Sequence, residues 1–272
     1  YVTSLPRLRG LCLKGYRVVA TVRNETDAGR LKQSFPGQVI PVILDLMQLE
    51  AISELPQVLK NQFQIEKLDG LVNNAGIAQA GPFLDQDFSE IENTIRLNVL
   101  ALMKITQVLL PLLGAKQGAT HAGTIVNISS IAGTGGAPFL SAYAASKHAV
   151  EGFSDVLRKE LMLFGMKVVV IGPGSIKTPI WNKGFEVART RYQNSLYANA
   201  FNRFMGVVKS EVKNALDVSR VSELVVESFE NSCPKYRYAP IPRPLTNWYI
   251  PRILPKRLYN FLTAKALGLN RT

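Results

Sequence analysis

Ser130, Tyr143 and Lys147 are the residues whose types and spacing can do chemistry together. Tyr143 and Lys147 lie four apart in a stretch that reads as a helix, so they share one face. Ser130 comes thirteen residues before the tyrosine, just past a run that reads as a strand. A phenol with an ordinary pKa of about 10 is a poor acid–base group at neutral pH. A neighbouring ammonium favours the phenolate and brings such a group into working range. A serine hydroxyl can donate a hydrogen bond to a carbonyl or alcohol oxygen. The three can therefore move a proton on or off that oxygen while a hydride moves at the adjacent carbon. Alone, a Tyr-x-x-x-Lys pair is more often two ordinary helix neighbours, so its weight comes from context.

That context is an alternation of strands and helices. Residues 17–22 are a β-branched run after Gly15, and 25–34 suit a short helix. Residues 39–44 read as a strand ending at Asp45, and 49–64 as a helix that Pro56 kinks or delays. A short apolar strand over 68–72 runs directly into Asn73-Asn74-Ala75-Gly76. Residues 88–113 and 141–164 read as long helices, 124–128 and 167–171 as buried strands, and 218–230 as a helix with Ser219 at its N-cap. Such a sequence predicts an α/β fold, a doubly wound parallel sheet in a single domain over 1–272. Ligands in such folds bind beyond the carboxyl ends of the strands.

Composition sets outer limits. The chain has 272 residues, 47% hydrophobic and 19% charged, which suits a globular domain with a large core. The two cysteines, Cys12 and Cys233, and two histidines, His121 and His148, have no metal-site spacing, so no metal is expected. No apolar run reaches the roughly 18–20 residues of a membrane span, and no secretory leader pattern is evident. A cytoplasmic protein is therefore expected. The net charge is +12, and residues 233–272 hold eight basic residues and no acidic one. This tail, with Trp248, Tyr249, Tyr259 and Phe261, is either a solvated surface or a peripheral contact with an anionic membrane. No nucleic-acid-binding signature accompanies the charge, so no nucleic-acid partner is expected. Residues 179–215 carry Trp181, Phe185, Tyr192, Tyr197, Phe201 and Phe204, and 240–272 form a basic C-terminal extension. These aromatics suit either an apolar pocket for a lipophilic substrate or core packing.

The set Asn73-Asn74-Ala75-Gly76, Asn127-Ile128-Ser129-Ser130, Tyr143-Ala144-Ala145-Ser146-Lys147 and Pro173-Gly174, in that order on an α/β pattern, resembles the short-chain dehydrogenase/reductase family. The resemblance runs from about Gly15 to Thr178, and more loosely beyond, where it implies that residues 179–215 form a substrate lid. It implies a Rossmann-like domain, a nicotinamide cofactor and hydride exchange between alcohols and carbonyls. It implies Tyr143 as acid–base, Ser130 as oxygen positioner, and Lys147 as tyrosine tuner and ribose ligand. It adds Asn98 to a catalytic tetrad, although by residue type alone Asn98 is equally a satisfied core asparagine. It implies cofactor contacts for Asp45, Asn73, Gly76, Pro173, Gly174, Ile176 and Thr178. The run around Tyr143, with Gly81-Pro82-Phe83, is similar to members acting on steroid-like or retinol-like substrates. A homodimer or homotetramer built through the two long helices is also implied.

Cofactor choice rests on the end of the strand over 17–22. No Asp or Glu stands there before Glu25 to bond a ribose 2′-hydroxyl, whereas Arg23 offers a guanidinium suited to a 2′-phosphate. NADP(H) is the expected cofactor. The segment before Gly15 departs from the family pattern. A threonine ending a first strand should be followed by Gly-x-x-x-Gly-x-Gly. Here Thr3 is followed by Ser4-Leu5-Pro6-Arg7-Leu8-Arg9-Gly10, a stretch with no evident helical logic. The second reading is therefore a non-catalytic Rossmann-like binding or scaffold protein without its phosphate loop.

Overall fold

The computed structural model describes residues 5–177 and 188–269. Valine- and isoleucine-rich runs become short parallel strands, as β-branched side chains favour. β1 (Val18–Val22) pairs with β2 (Val39–Ile43). β3 (Gly70–Asn73), β4 (Thr124–Ile128), β5 (Lys167–Ile171) and β6 (Arg237–Tyr238) form a second parallel set in that order. Every residue of β4 is buried, which requires cover on both faces of the sheet.

Helices supply that cover. On one face, Ile125 and Val168 pack with Leu97, Ala101, Ile105, Leu109 and the Leu157–Leu161 side of α7 (Ser141–Leu161). On the other, Val126, Ile128, Val169 and Ile171 meet Val221, Leu224 and Val225 of α9 (Ser219–Glu230). Adjacent residues of β4 thus serve opposite cores, as the pleat demands. The remaining elements are α2 (Glu25–Ser34), α3 (Leu49–Ser53), α4 (Leu55–Phe63), α5 (Phe88–Ile95), α6 (Leu102–Leu109), α8 (Ala198–Lys213), α10 (Ile250–Ile253) and α11 (Lys256–Leu267).

The parallel α/β architecture matches the sequence reading, with four local corrections. The first concerns the N-terminal stretch. Tyr1 to Thr3, expected to close a strand, lie with Ser4 outside the described residues. From Leu5 the chain is helical: α1 (Leu5–Leu13) packs on α9. Its helical logic is the spacing of Leu8, Leu11 and Cys12, all buried, with Pro6 tolerated in the first turn. The second correction divides the expected helix over 49–64 into α3 and α4, with Pro56 at the start of α4. Third, the helix expected over 88–113 contains a π turn, Arg96–Ala101, between α5 and α6. Fourth, Ser219 is not the cap of α9. Val218 holds that position, and Asp217 Oδ1 accepts the Ser219 N–H at 2.8 Å.

The basic tail forms a π turn (Leu245–Tyr249), α10 and α11, with a break at Pro255 between the two helices. Ile253, Phe261 and Leu262 there are exposed. No helix among the described residues is long and apolar enough to cross a membrane.

A buried polar thread ties the sheet to two helices. Asn73 Nδ2 donates to Thr106 Oγ1 at 2.9 Å and to Asn127 Oδ1 at 2.8 Å. Asn127 Nδ2 then donates to Ser154 Oγ at 2.8 Å. Buried amides are costly unless fully partnered. Asn127→Ala should therefore lower unfolding free energy by about 2–4 kcal/mol, read as a lower urea midpoint at unchanged slope. A loss under about 0.5 kcal/mol would show that the thread adds nothing to stability.

Candidate active site

β4 ends at Ile128, and Ser129 and Ser130 lead into a 3-10 turn, Ile131–Gly133, that lies against α7. Ser130 is buried, and its Oγ accepts the Ala132 N–H at 3.1 Å. The turn sits close because residue 133 is glycine. A Cβ there would stand 2.9 Å from Lys147 O and 2.6 Å from Ser129 Oγ, closer than such atoms come. From α7, Lys147 reaches the strand end: Nζ donates to Ile128 O at 2.9 Å and lies 5.9 Å from the centre of the Tyr143 ring. Lys147 is only 5% exposed, so an ammonium is buried one helical turn from a half-buried phenol. The structure thus gathers Lys147, Tyr143 and the Ser130 turn at the carboxyl end of the central strand.

The start of α7 is fixed by a strained residue. Phe139 has a φ of 67°, a conformation costing about 1–3 kcal/mol for a residue with a side chain. Its ring stacks edge-on to Phe201 at 5.3 Å and Phe204 at 5.6 Å, and its carbonyl accepts Gly81 N–H at 2.9 Å. This cluster decides the question of the lid aromatics. Tyr192, Phe201 and Phe204 are buried with Phe139, Leu140 and Leu267 as a core. Burial also pushes the Tyr192 phenol above its usual range. Trp181 and Phe185 lie outside the described residues.

The other sequence-selected residues divide by where their polar atoms go. Asn98 sits in the π turn, 1% exposed. Its Oδ1 accepts Ile77 N–H at 2.9 Å, and its Nδ2 donates to Ile77 O at 2.9 Å and Ser146 Oγ at 3.0 Å. Asn98 therefore clasps the loop after β3 to α7. Gly76 lies inside this clasp, where a Cβ would be 3.2 Å from Asn98 Oδ1 and 3.6 Å from Lys147 Nζ. The Asn73 side chain is spent on the buried thread rather than on a ligand. Its neighbour Asn74 instead leaves a buried Oδ1 without a partner among the described residues. Asp45 accepts Met47 N–H at 3.0 Å in the turn that leads to α3. Arg23 is exposed at the end of β1. Pro173 O accepts Ile131 N–H at 2.9 Å, and Gly174 N–H donates to Pro240 O at 3.0 Å, so this segment borders the Ser130 turn. The Ile176 side chain is packed in the core with Val218 and Val221. Thr178 lies outside the described residues.

Sequence reasoning missed the residue that binds these parts together. Arg237 of β6 grips Glu151 of α7 through Nε at 3.1 and 3.0 Å and Nη2 at 3.0 Å. The same Nη2 donates to Ser130 O at 3.3 Å. Gly172 makes room, since a Cβ there would meet Nη2 at 2.2 Å. Trp248 lies against the Arg237 guanidinium at 4.9 Å. Arg252 also stacks on Trp248 and donates to Thr134 Oγ1. Burial, then the nearby Arg237 charge, pull the Arg252 guanidinium below its usual range. The Arg237–Glu151 pair is mostly shielded, with side chains 22% and 17% exposed. Removing one partner of such a pair leaves an uncompensated charge. Arg237→Met should cost about 2–4 kcal/mol of stability, with Arg237→Lys recovering part because it keeps charge but not the fork. Equal thermal midpoints for wild type and Arg237→Met would remove the clamp from the account.

The comparisons agree with this architecture. A family model described as short chain dehydrogenase matches residues 8–188. The chain is 34% identical over 254 residues to an NADPH-dependent 3-dehydrocapnine reductase of Ornithobacterium rhinotracheale, covering 93% of this chain and 89% of that one. It is 32% identical over 276 residues to 17-beta-hydroxysteroid dehydrogenase type 6 of Mus musculus, covering 96% and 84%. Among solved structures, a short-chain dehydrogenase from Streptomyces avermitilis superposes with a TM-score of 0.73 at 20% identity, over 98% of this chain and 93% of that one. An NAD+-bound xylitol dehydrogenase does so at 0.72 and 19% identity, over 87% and 92%. With a family match running from α1 to beyond β5, and relatives above 30% identity along nearly the whole chain, the protein belongs to the short-chain dehydrogenase/reductase family of oxidoreductases.

Proposed function

We propose that this chain moves a hydride between NADP(H) and an alcohol or carbonyl on a lipophilic small molecule, with Tyr143 as the proton-handling group. The observation that carries the proposal is the Lys147 ammonium, buried on the face of α7 that also holds Tyr143 and anchored to Ile128 O. A positive charge there stabilises negative charge arising on the phenol oxygen. Ser130 Oγ is the donor that holds the substrate oxygen. In the oxidative direction, Tyr143 accepts the hydroxyl proton as the carbon–hydrogen bond breaks, and in the reductive direction it returns that proton to the new alkoxide. Asn98 acts by holding the Gly76 loop against Lys147.

The residues fit a nicotinamide nucleotide at the reacting end: a buried cation, a glycine-lined approach at Gly76 and the backbone segment Pro173-Gly174 beside the Ser130 turn. The cofactor, when bound, supplies or takes up the hydride. The phosphate end fits less well, since the segment before β1 is the helix α1 rather than a glycine-rich turn. Arg23 is the proposed partner of a 2′-phosphate, and the 34%-identical relative is NADPH-dependent by name. Support for a lipophilic substrate comes from a cavity of about 510 Å³ bordered by Ile131 and Gly174, with Val207, Ile241, Ile250 and Leu262 among its walls.

The helical α1 favours one other reading, a Rossmann-like binding or scaffold protein without turnover. Titration with NADPH, followed by thermal shift, separates the two. Saturable stabilisation supports the oxidoreductase, and its absence at millimolar NADPH supports the scaffold. If NADPH binds, Tyr143→Phe should lower kcat by about 10²–10⁴-fold with cofactor affinity little changed, the usual size of a general acid–base contribution. Retained turnover in that variant would eliminate the phenol as proton donor. Arg23→Asp should weaken NADPH by about tenfold or more relative to NADH, as expected when a charge-assisted phosphate contact becomes repulsive. An unchanged NADPH-to-NADH ratio would defeat that assignment.

A further inference from the structure

The C-terminal segment combines two properties that seldom share a solvated surface. Residues 233–272 hold eight cations and no acidic residue. The last two helices also leave large apolar side chains in water. On α10, Ile250 and Ile253 are exposed and three apart. On α11, Leu258, Phe261 and Leu262 are exposed at the spacing of a single helix face. Ile253 is 79% exposed and Phe261 57%. The two stripes meet, because Ile250 and Leu262 border the same cavity of about 510 Å³. An isolated exposed leucine is ordinary, but a contiguous apolar row rimmed by charge marks a contact surface.

The rim is cationic. Lys256 and Arg257 stand in the first turn of α11 and Lys265 in its last, all exposed. Among the described residues, none of the three is in an ion pair. Neighbouring carboxylates are spent elsewhere: Glu211 on Arg243 and Asn247, and Glu151 on Arg237. The first turn of a helix favours negative charge, yet α11 has no acidic residue there and no side chain caps it.

We propose that α10 and α11 form a docking surface for an anionic lipid bilayer. The apolar stripe enters the headgroup boundary, and Lys256, Arg257 and Lys265 meet the lipid phosphates. Interfacial helices are built this way, with apolar side chains toward lipid and Lys or Arg beside them. A second copy of the chain fits poorly, since a two-fold contact through one face would set these cations against each other. A protein partner fits less well, because lysine is depleted at protein interfaces. Docking also brings the cavity rim at Ile250 and Leu262 against the lipid. The proposal stands independently of the oxidoreductase reading, since it uses no residue of the Tyr143 site.

The test is flotation of the full chain with vesicles of phosphatidylcholine, either plain or with a third phosphatidylglycerol. Binding should require the anionic lipid and weaken about tenfold or more between about 0.1 M and about 1 M salt, as screening tightens. Lys256→Ala with Arg257→Ala should weaken it about tenfold or more, at roughly fivefold per cation. Ile253→Ser with Phe261→Ser keeps the net charge at +12 and should also weaken it about tenfold or more, through lost apolar contact. That pair separates insertion from the adsorption of any basic protein. All four sites are exposed, so circular dichroism should be unchanged. If a variant fails to fold, hydrogen–deuterium exchange of the native chain decides, with slowing on anionic vesicles expected over residues 245–265. No flotation with anionic vesicles, undiminished binding by the Ile253→Ser/Phe261→Ser variant, or slowing confined to other segments would each overturn the surface. So would lipid-free self-association that this variant abolishes, which assigns the face to a second copy of the chain.

Discussion

The structure depends on how closely the chain can pass the backbone of α7 near Lys147. Gly133 permits the approach on one side, where a side chain would strike Lys147 O. Lys147 itself spans the gap to Ile128 O, fixing the end of β4 to the helix. A buried ammonium is tolerated only with a good acceptor, and a strand-end carbonyl provides one. Ser130 follows two residues after that contact, and Tyr143, one turn earlier on α7, is carried toward the same strand end. The remaining elements hold this arrangement from outside. Asn98 fastens the β3 loop, Phe139 fixes where α7 begins, and Arg237 joins Glu151 to the Ser130 carbonyl.

The arrangement is polar where most cores are apolar. The Asn73–Asn127–Ser154 thread crosses from sheet to helix within hydrogen-bond distances, beside the Lys147 contact. Such networks specify one register, because a slip of one residue would leave several buried donors unpaired. The Arg237–Glu151 pair extends the same logic to the edge of the sheet. It couples the C-terminal segment, through Trp248 and Arg252, to the turn that carries Ser130. That segment therefore touches the turn directly, at Ser130 O and at Thr134 Oγ1.

Local pattern was legible in the sequence wherever the cause was local. The β-branched runs marked β4 and β5 to the residue, and the alternation with helices gave the parallel architecture. Tyr143 and Lys147 were legible as a pair because a helix makes neighbours of residues four apart. Long-range causes were not legible. Nothing about Arg237, one cation in a basic tail, points to a carboxylate 86 residues away. The one signal available was that it stands between Tyr236 and Tyr238, in a strand-like context for a supposed solvated charge. The aromatics after Pro179 stayed undecided for a related reason: composition cannot tell a pocket from a core, and of the two alternatives Phe201 and Phe204 take the core. The helix α1 was missed because its stripe is short, with only Leu8, Leu11 and Cys12 to reveal it.

That helix bears on how the two halves of the molecule relate. α1 packs against α9 and thereby covers one face of the cavity between β1 and β3. The reacting end of the proposed site is built on β4 and α7, remote from this question and fully supported by its own hydrogen bonds. The proposed 2′-phosphate contact, Arg23, hangs on β1, whose ladder, among the described residues, joins it to β2 and not to β3. The two ends of a dinucleotide would therefore be held by separately hydrogen-bonded sheets, joined through side-chain packing around the cavity. Packing between sheets is less directional than a ladder, so the distance from Arg23 to Lys147 is set more loosely than any distance within the reacting end. Nucleotide affinity should consequently be more sensitive to that packing than the geometry at Tyr143, because only the nucleotide must span both sheets.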